Sequence, residues 1–192
     1  MWRAIRSGRS VRSALTARPR SFHDQNVMTQ QPEPGLSVAI RPVRSTDATG
    51  LVDFYARLTL ESRRRRFLTG STPDPDFIAG LARDPGLVAV LDGSAARHGA
   101  IVAHASVQPD GHHGAEIAFA VADEVQGHGV GRRLVSRALH LARELGADRA
   151  SATLLAGNVP MRHLLRAAGQ PVQGDCIDAG TEDIDLDLRL AF

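Results

Sequence analysis

Gln126-Gly127-His128-Gly129-Val130-Gly131 places three glycines within six residues, directly ahead of an apolar stripe of Leu134, Val135, Ala138, Leu141, Ala142 and Leu145. The stripe recurs at the helical period, and Gly146 stands where such a helix would stop, so a helix is expected over 132–145. Just upstream, Ala115–Val121 reads as a strand. A strand, a glycine-rich turn and an amphipathic helix in that order require a helix packed on a sheet. The flanking pattern agrees. Strands are expected at 38–43, 87–91, 100–107, 150–155 and 184–190, with Asp92-Gly93-Ser94 as a turn. Ser45-Thr46-Asp47 supplies cap chemistry for a helix carrying Leu51, Phe54, Leu58 and Leu60. A short helix follows the turn-rich stretch 71–76, and another runs over 160–168 with proline in its first turn. This order gives one mixed sheet with helices on its faces.

Composition narrows the class further. The chain has 192 residues, 43% hydrophobic and 23% charged, which suits one soluble domain. No run of 18 apolar residues is present, so no membrane partner is expected. The single cysteine, Cys176, forms no internal disulfide and founds no Cys/His cluster, and no metal is expected. A reducing, cytoplasmic setting is compatible with this. Six arginines fall in the first 35 residues against only Asp24 and Glu33, so the net charge of +2 is partly a property of that arm. This argues against a nucleic-acid partner. Residues 1–35 have no sustained apolar period. They read as a disordered Arg-rich arm, as a start placed ahead of Met28, or as a segment resembling a mitochondrial presequence. All 23 basic residues are arginine. A genome rich in G and C explains this, as would a lysine-modifying enzyme that escapes its own activity.

The glycine-rich turn has a chemical use. Glycine lets the backbone approach a ligand closely and adopt positive φ. The unpaired N–H groups of the next helical turn, with the positive end of the helix dipole, then suit a phosphate or pyrophosphate. Arg132 and Arg133 add charge at its edge. A tight strand-to-helix turn needs glycine too, so both readings stand on the turn alone. Neither G-x-x-x-x-G-K-[ST] nor G-x-G-x-x-G fits.

Gln126, Gly129 and Gly131 do resemble Q/R-x-x-G-x-G/A, the acetyl-CoA pyrophosphate loop of the GNAT superfamily of N-acetyltransferases. Leu155–Met161 resembles the A-x-N-x-P-M stretch of the bacterial protein lysine acetyltransferase branch, and Leu58–Phe67 its L-x-x-E-S-x-x-x-R-F stretch. The similarity covers about residues 37–191. It implies the GNAT fold for 36–192: an α/β (α+β) domain whose mixed, mostly antiparallel central sheet is flanked by helices on both faces. It also implies acetyl-CoA as cosubstrate, bound by Gln126, Gly127, His128, Gly129, Val130, Gly131 and Arg132. Asn158 is a further cofactor contact by resemblance, and a helix cap by its own chemistry. A backbone donor near Val121 would polarise the thioester.

Alternation puts Glu116, Ala118 and Ala120 on one face of their strand and Ile117, Phe119 and Val121 on the other. The bulky face suits the core; the first leaves room for a ligand beside a carboxylate. A lysine amine has a pKa of about 10.4 and needs a base before it is nucleophilic. The resemblance gives that role to Glu116, and the alternative is a carboxylate paired with an arginine or facing solvent. The expected acceptor is an amine, favoured as a protein lysine, with a small amine or an inactive acyl-CoA-binding module as alternatives. Many relatives carry a tyrosine acid seven residues beyond the asparagine, where this chain has Leu165. Arg63–Arg66 reads as a solvated helix face, or as a contact for an acidic protein or the adenosine 3′-phosphate. His112, His113, His128, His140, His163 and Cys176 carry no pattern of metal ligation or nucleophilic catalysis.

Overall fold

The structure is a computed structural model describing residues 37–71, 73–92, 99–168, 172–178 and 180–189, without the side chains of 172–178. The arm 1–35, most of the turn at 92–94 and the Cys176 side chain therefore lie outside what it describes. Residues 32–192 group into one compact unit.

Among the described residues the strands are β1 (Ser37–Pro42), β2 (Gly86–Asp92), β3 (Ile101–Pro109), β4 (Gly114–Val121), β5 (Arg149–Leu155), β6 (Val172–Asp178) and β7 (Thr181–Asp187). The helices are α1 (Ala48–Arg57), α2 (Leu60–Phe67), α3 (Pro75–Gly80), α4 (Val130–Glu144) and α5 (Val159–Ala167). The strands form one sheet in the order β1-β2-β3-β4-β5-β7-β6. Every neighbouring pair is antiparallel except β4 with β5, which run parallel. This is the mixed, mostly antiparallel sheet expected from the sequence.

Helices cover both faces. On α4, Val130, Leu134, Val135, Ala138, Leu139 and Ala142 are buried, and the helix packs on β2, β3 and β4. Truncating a fully buried leucine such as Leu134 would cost about 3 kcal/mol. Two arginines on the same helix reach the edge strand: Arg133 donates to the Val38 carbonyl at 3.1 Å and Arg137 to that of Ile40 at 2.9 Å. They occupy carbonyls on the side of β1 that no strand of the sheet pairs, and so blunt an open edge. Arg133 is thus engaged at β1 and is not one of a pair with Arg132.

Most element ends fall within two residues of the sequence reading, and three features depart further from it. The helix expected through Leu60 stops at Leu58, and Thr59 starts a new one. Both residues are extended, with ψ of 146° and 158°. Thr59 Oγ1 accepts from the Ser62 N–H at 3.2 Å, while Asp123 accepts from the Thr59 N–H at 3.1 Å. Leu60 is consequently 58% exposed, not part of the apolar stripe. β6 was not foreseen, because its register slips between Gln173 and Asp175 and spoils the period of two. The closing strand spans Thr181–Asp187, three residues earlier than expected at each end.

The end of β5 is tied to β7 and α5 by a buried ion pair. Arg162 Nε donates to both carboxylate oxygens of Glu182 at 2.9 and 3.1 Å, and Arg162 Nη2 donates to the Ala156 carbonyl at 2.8 Å. Glu182 is 2% exposed, and the Arg162 hydrogen bonds hold its carboxyl below the usual range despite burial. Glu182→Gln is expected to cost about 2–3 kcal/mol in urea denaturation, since it strands a half-buried guanidinium. A depressed carboxylate pKa stabilises above its unfolded value and loses that contribution as pH falls through the folded one. The variant should therefore lose part of the acid dependence of stability below about pH 4.3.

Candidate active site

β4 and β5 begin as neighbours and then part. Their parallel register contains Gly114–Arg149, Ala115–Ala150 and Glu116–Ser151, and stops there. Beyond it β4 stays paired with β3 as far as Val121 opposite Ala103, and β5 stays paired with β7 as far as Leu155 opposite Thr181. The result is a wedge in the middle of the sheet. Its mouth lies at the carboxyl ends of two parallel strands, so each strand leads into a helix whose N-terminus stands there: α4 after β4, and α5 after β5. The backbone of 117–121 along the wedge has polar groups that must find partners other than β5.

The turn at the mouth has the conformation its glycines permit. Gly127 and Gly129 have φ of 80° and 76°. Gly129 is the N-cap of α4 in the left-handed region, without a side-chain cap. The first helical ladder bond runs from the Arg133 N–H to the Gly129 carbonyl at 3.2 Å, so the N–H groups of Val130, Gly131 and Arg132 precede the ladder. Gln126 Nε2 donates to the Val121 carbonyl at 3.1 Å, tying the turn to the end of β4, and His128 Nδ1 donates to the Gln126 carbonyl at 2.9 Å. Gln126, Gly127, His128, Gly129 and Arg132 are exposed, whereas Val130 is buried. Gly131 has a different use: a Cβ there would lie 3.0 Å from Leu164 Cδ1 of α5 and 3.8 Å from Val121 Cγ2. It allows α4, α5 and the end of β4 to converge.

The two faces of β4 differ as alternation requires. Ile117 and Phe119 are buried on the α4 side with half-buried Val121. On the other face Glu116 is exposed, Ala118 half-buried and Ala120 buried. The register places Gln108, Ser106 and His104 beside these three. Glu116 makes no hydrogen bond or ion pair among the described residues, so the arginine-paired alternative finds no partner there.

Asn158 is 6% exposed and caps α5, its Oδ1 accepting from the Met161 N–H at 3.3 Å. Leu165 is fully buried, so its position presents no side chain to the wedge. Sequence reasoning missed two features of the Glu116 face. Tyr55 of α1 shares a 2.8 Å hydrogen bond with Nδ1 of His104, whose burial drives its pKa down to about 3 and keeps it neutral. Asp123 accepts from Thr59 Oγ1 at 3.1 Å and Ser62 Oγ at 2.7 Å besides the Thr59 N–H. Burial opposes its charge, but these bonds outweigh burial and lower its pKa. Asp123 therefore fastens the start of α2 to the end of β4. A concavity lined by Ser45, Ala48, Asp76 and Arg83 touches none of the candidate residues. Among the described residues no trio of His, Cys, Asp or Glu is placed to hold a metal, and no helix is long and apolar enough to cross a membrane.

The model of the acetyltransferase (GNAT) family matches residues 53–169, which span the wedge, the turn and both helices at its mouth. This chain belongs to the GNAT acetyltransferase family. Solved structures agree on the fold. The GNAT domain of S. lividans PAT is 26% identical with a TM-score of 0.64, over 78% of this chain and 90% of that one. A GNAT superfamily phosphinothricin acetyltransferase from Sinorhizobium meliloti, solved in complex with acetyl-CoA, is 18% identical with a TM-score of 0.63, over 78% and 88%. Ribosomal-protein-alanine N-acetyltransferase from Brucella melitensis is 23% identical with a TM-score of 0.58, over 77% and 97%. The acetyltransferases that share this fold are named for different acceptors.

If Asp123 anchors α2, Asp123→Ala should remove three hydrogen bonds at once and cost about 1–3 kcal/mol. Hydrogen exchange should quicken at the amides of 59–63 while those of α4 keep their protection.

Proposed function

We propose that the chain transfers an acetyl group from acetyl-CoA to a protein lysine in a ternary complex, within a catalytic domain of residues 36–192. The observation that carries this reading is the wedge between β4 and β5, opening beside the glycine turn on one side and the exposed carboxylate of Glu116 on the other. The residues present fit the cosubstrate. The turn 126–132 offers N–H groups ahead of the helical ladder and the exposed Arg132 to a diphosphate. The parted backbone of β4 offers hydrogen bonds to an extended pantetheine arm. Asn158, its oxygen used by the α5 cap, would turn its amide N–H groups to the same ligand.

The chemistry follows from the two faces. An amine approaching along the Glu116 face attacks the thioester carbonyl carbon, and a backbone N–H near Val121 stabilises the oxyanion that develops. Glu116 accepts the amine's proton, directly or through one water. The C–S bond then breaks and coenzyme A leaves as thiolate. Because a thiol is far more acidic than an amine, that departure needs no strong acid, in keeping with a buried leucine at 165. Holding both reactants in one wedge supplies much of the rate by orientation. Lysine as acceptor is supported by the sequence stretches at 58–67 and 155–161, which resemble those of the bacterial protein lysine acetyltransferase branch.

Glu116→Gln is expected to lower kcat for thiol release by about 10²–10³-fold, with KM for acetyl-CoA unchanged. Turnover at the wild-type rate would remove Glu116 from the mechanism. Turnover on small amines but on no lysine-bearing protein would reassign the acceptor, and tight acetyl-CoA binding with no turnover on any amine would leave a binding module.

A further inference from the structure

The run Arg63–Arg66 does not form one solvated face. α2 packs on β4 and reaches β5, and its arginines divide by the helical period. Arg64 is exposed, and Arg65 pairs with Glu61 one turn back, its Nε 2.9 Å from the carboxylate. Arg63 and Arg66, three residues apart, turn toward the sheet and are half-buried. Arg66 Nη2 donates to Ser106 Oγ at 3.0 Å, and its guanidinium lies 4.9 Å from the Phe67 ring centroid. The Nε atoms of both arginines are buried and find no hydrogen-bond partner. Neither has a carboxylate partner among the described residues, and the nearby His104 is neutral. Two cations are therefore held partly out of water without a counter-charge, which costs free energy unless something supplies one.

The register fixes which face they serve. Ser106 lies opposite Ala118 on β4, two residues from Glu116 on the same side of the strand. Glu116 neighbours Ser151 on β5, and Ser151 and Thr153 neighbour Asp185 and Asp183 on β7. That face of the sheet is bipolar: carboxylates on β4 and β7, guanidinium groups on α2.

Resting on the acetyl-transfer reading above, we propose that the acceptor lysine carries an acidic residue beside it, whose carboxylate is bound by Arg63 and Arg66 while the amine meets Glu116. A guanidinium offers paired donors matched to a carboxylate, and the terminal nitrogens of these two half-buried arginines meet no carboxylate among the described residues, while their Nε–H groups are enclosed. The arginines thus select among lysines by charge context. The free α-carboxylate of an amino acid offers the same chemistry, and the experiment separates the two.

The full chain is assayed with two lysine peptides, one flanked by glutamates and one by glutamines, and with free lysine. Turnover is followed by thiol release, and peptide binding by fluorescence anisotropy in the presence of coenzyme A. The wild type should prefer the glutamate peptide about ten-fold or more in kcat/KM and in affinity. Arg63→Met and Arg66→Met should each abolish most of that preference while KM for acetyl-CoA and melting temperature hold, and Arg63→Lys should restore part of it. Equal use of both peptides, or a rise in KM for acetyl-CoA in the variants, overturns the proposal. So does efficient turnover of free lysine with no charge preference among peptides. Preferential binding of the glutamate peptide without turnover supports the recognition and overturns the acetyl-transfer reading instead.

Discussion

After Glu116 and Ser151, two parallel strands stop bonding to each other while each remains bonded to its outer neighbour. The separation is sustained because both outer pairings continue to the ends of the strands, so neither can swing across to close the gap. Everything the site needs follows from it. Parallel strands carry their connections away from the same end, so the N-termini of α4 and α5 arrive together at the mouth. Gly131 lets those helices close up where any side chain would press on Leu164. The parted main chain of β4 presents polar groups that a sheet would otherwise consume.

The two faces of that opening are built by different means. On the α4 side the packing is apolar, and its polar provision is main-chain: N–H groups that precede the helical ladder, held in place by Gln126 gripping the Val121 carbonyl. On the α1 and α2 side the provision is side-chain. Tyr55 and His104 form a neutral buried pair, Asp123 pins the start of α2, and Glu116 is exposed. A diphosphate suits the first and an ionisable amine the second. In the proposed acetyl transfer this would separate the binding of the donor from the management of a proton.

Much of this was legible in the residues. The stripe from Leu134 to Ala142 foretold α4, although Leu145 lies past the helix end and is exposed, and Gly129 and Gly131 stood where a tight entry needed them. Alternation in 115–121 separated Glu116 from Ile117 correctly because β4 has no bulge. The misreadings have local causes. Thr59 looked like one more helical residue, since its capping depends on Asp123, 64 residues away. β6 hid behind a register slip. The wedge itself left no mark, because pairing between β4 and β5 depends on strands separated by a whole helix. The Arg63–Arg66 run appeared uniform until the new helix start set which two members face the sheet.

The central claim is that the donor lies in the wedge with its diphosphate on the glycine turn. Titrating coenzyme A into ¹⁵N-labelled protein tests this most directly. The amides of 117–121 and 127–132 should move together and saturate at one stoichiometric site, leaving those of β1 and β2 unmoved. Saturable shifts clustered elsewhere, with both of those segments unchanged, would contradict the account.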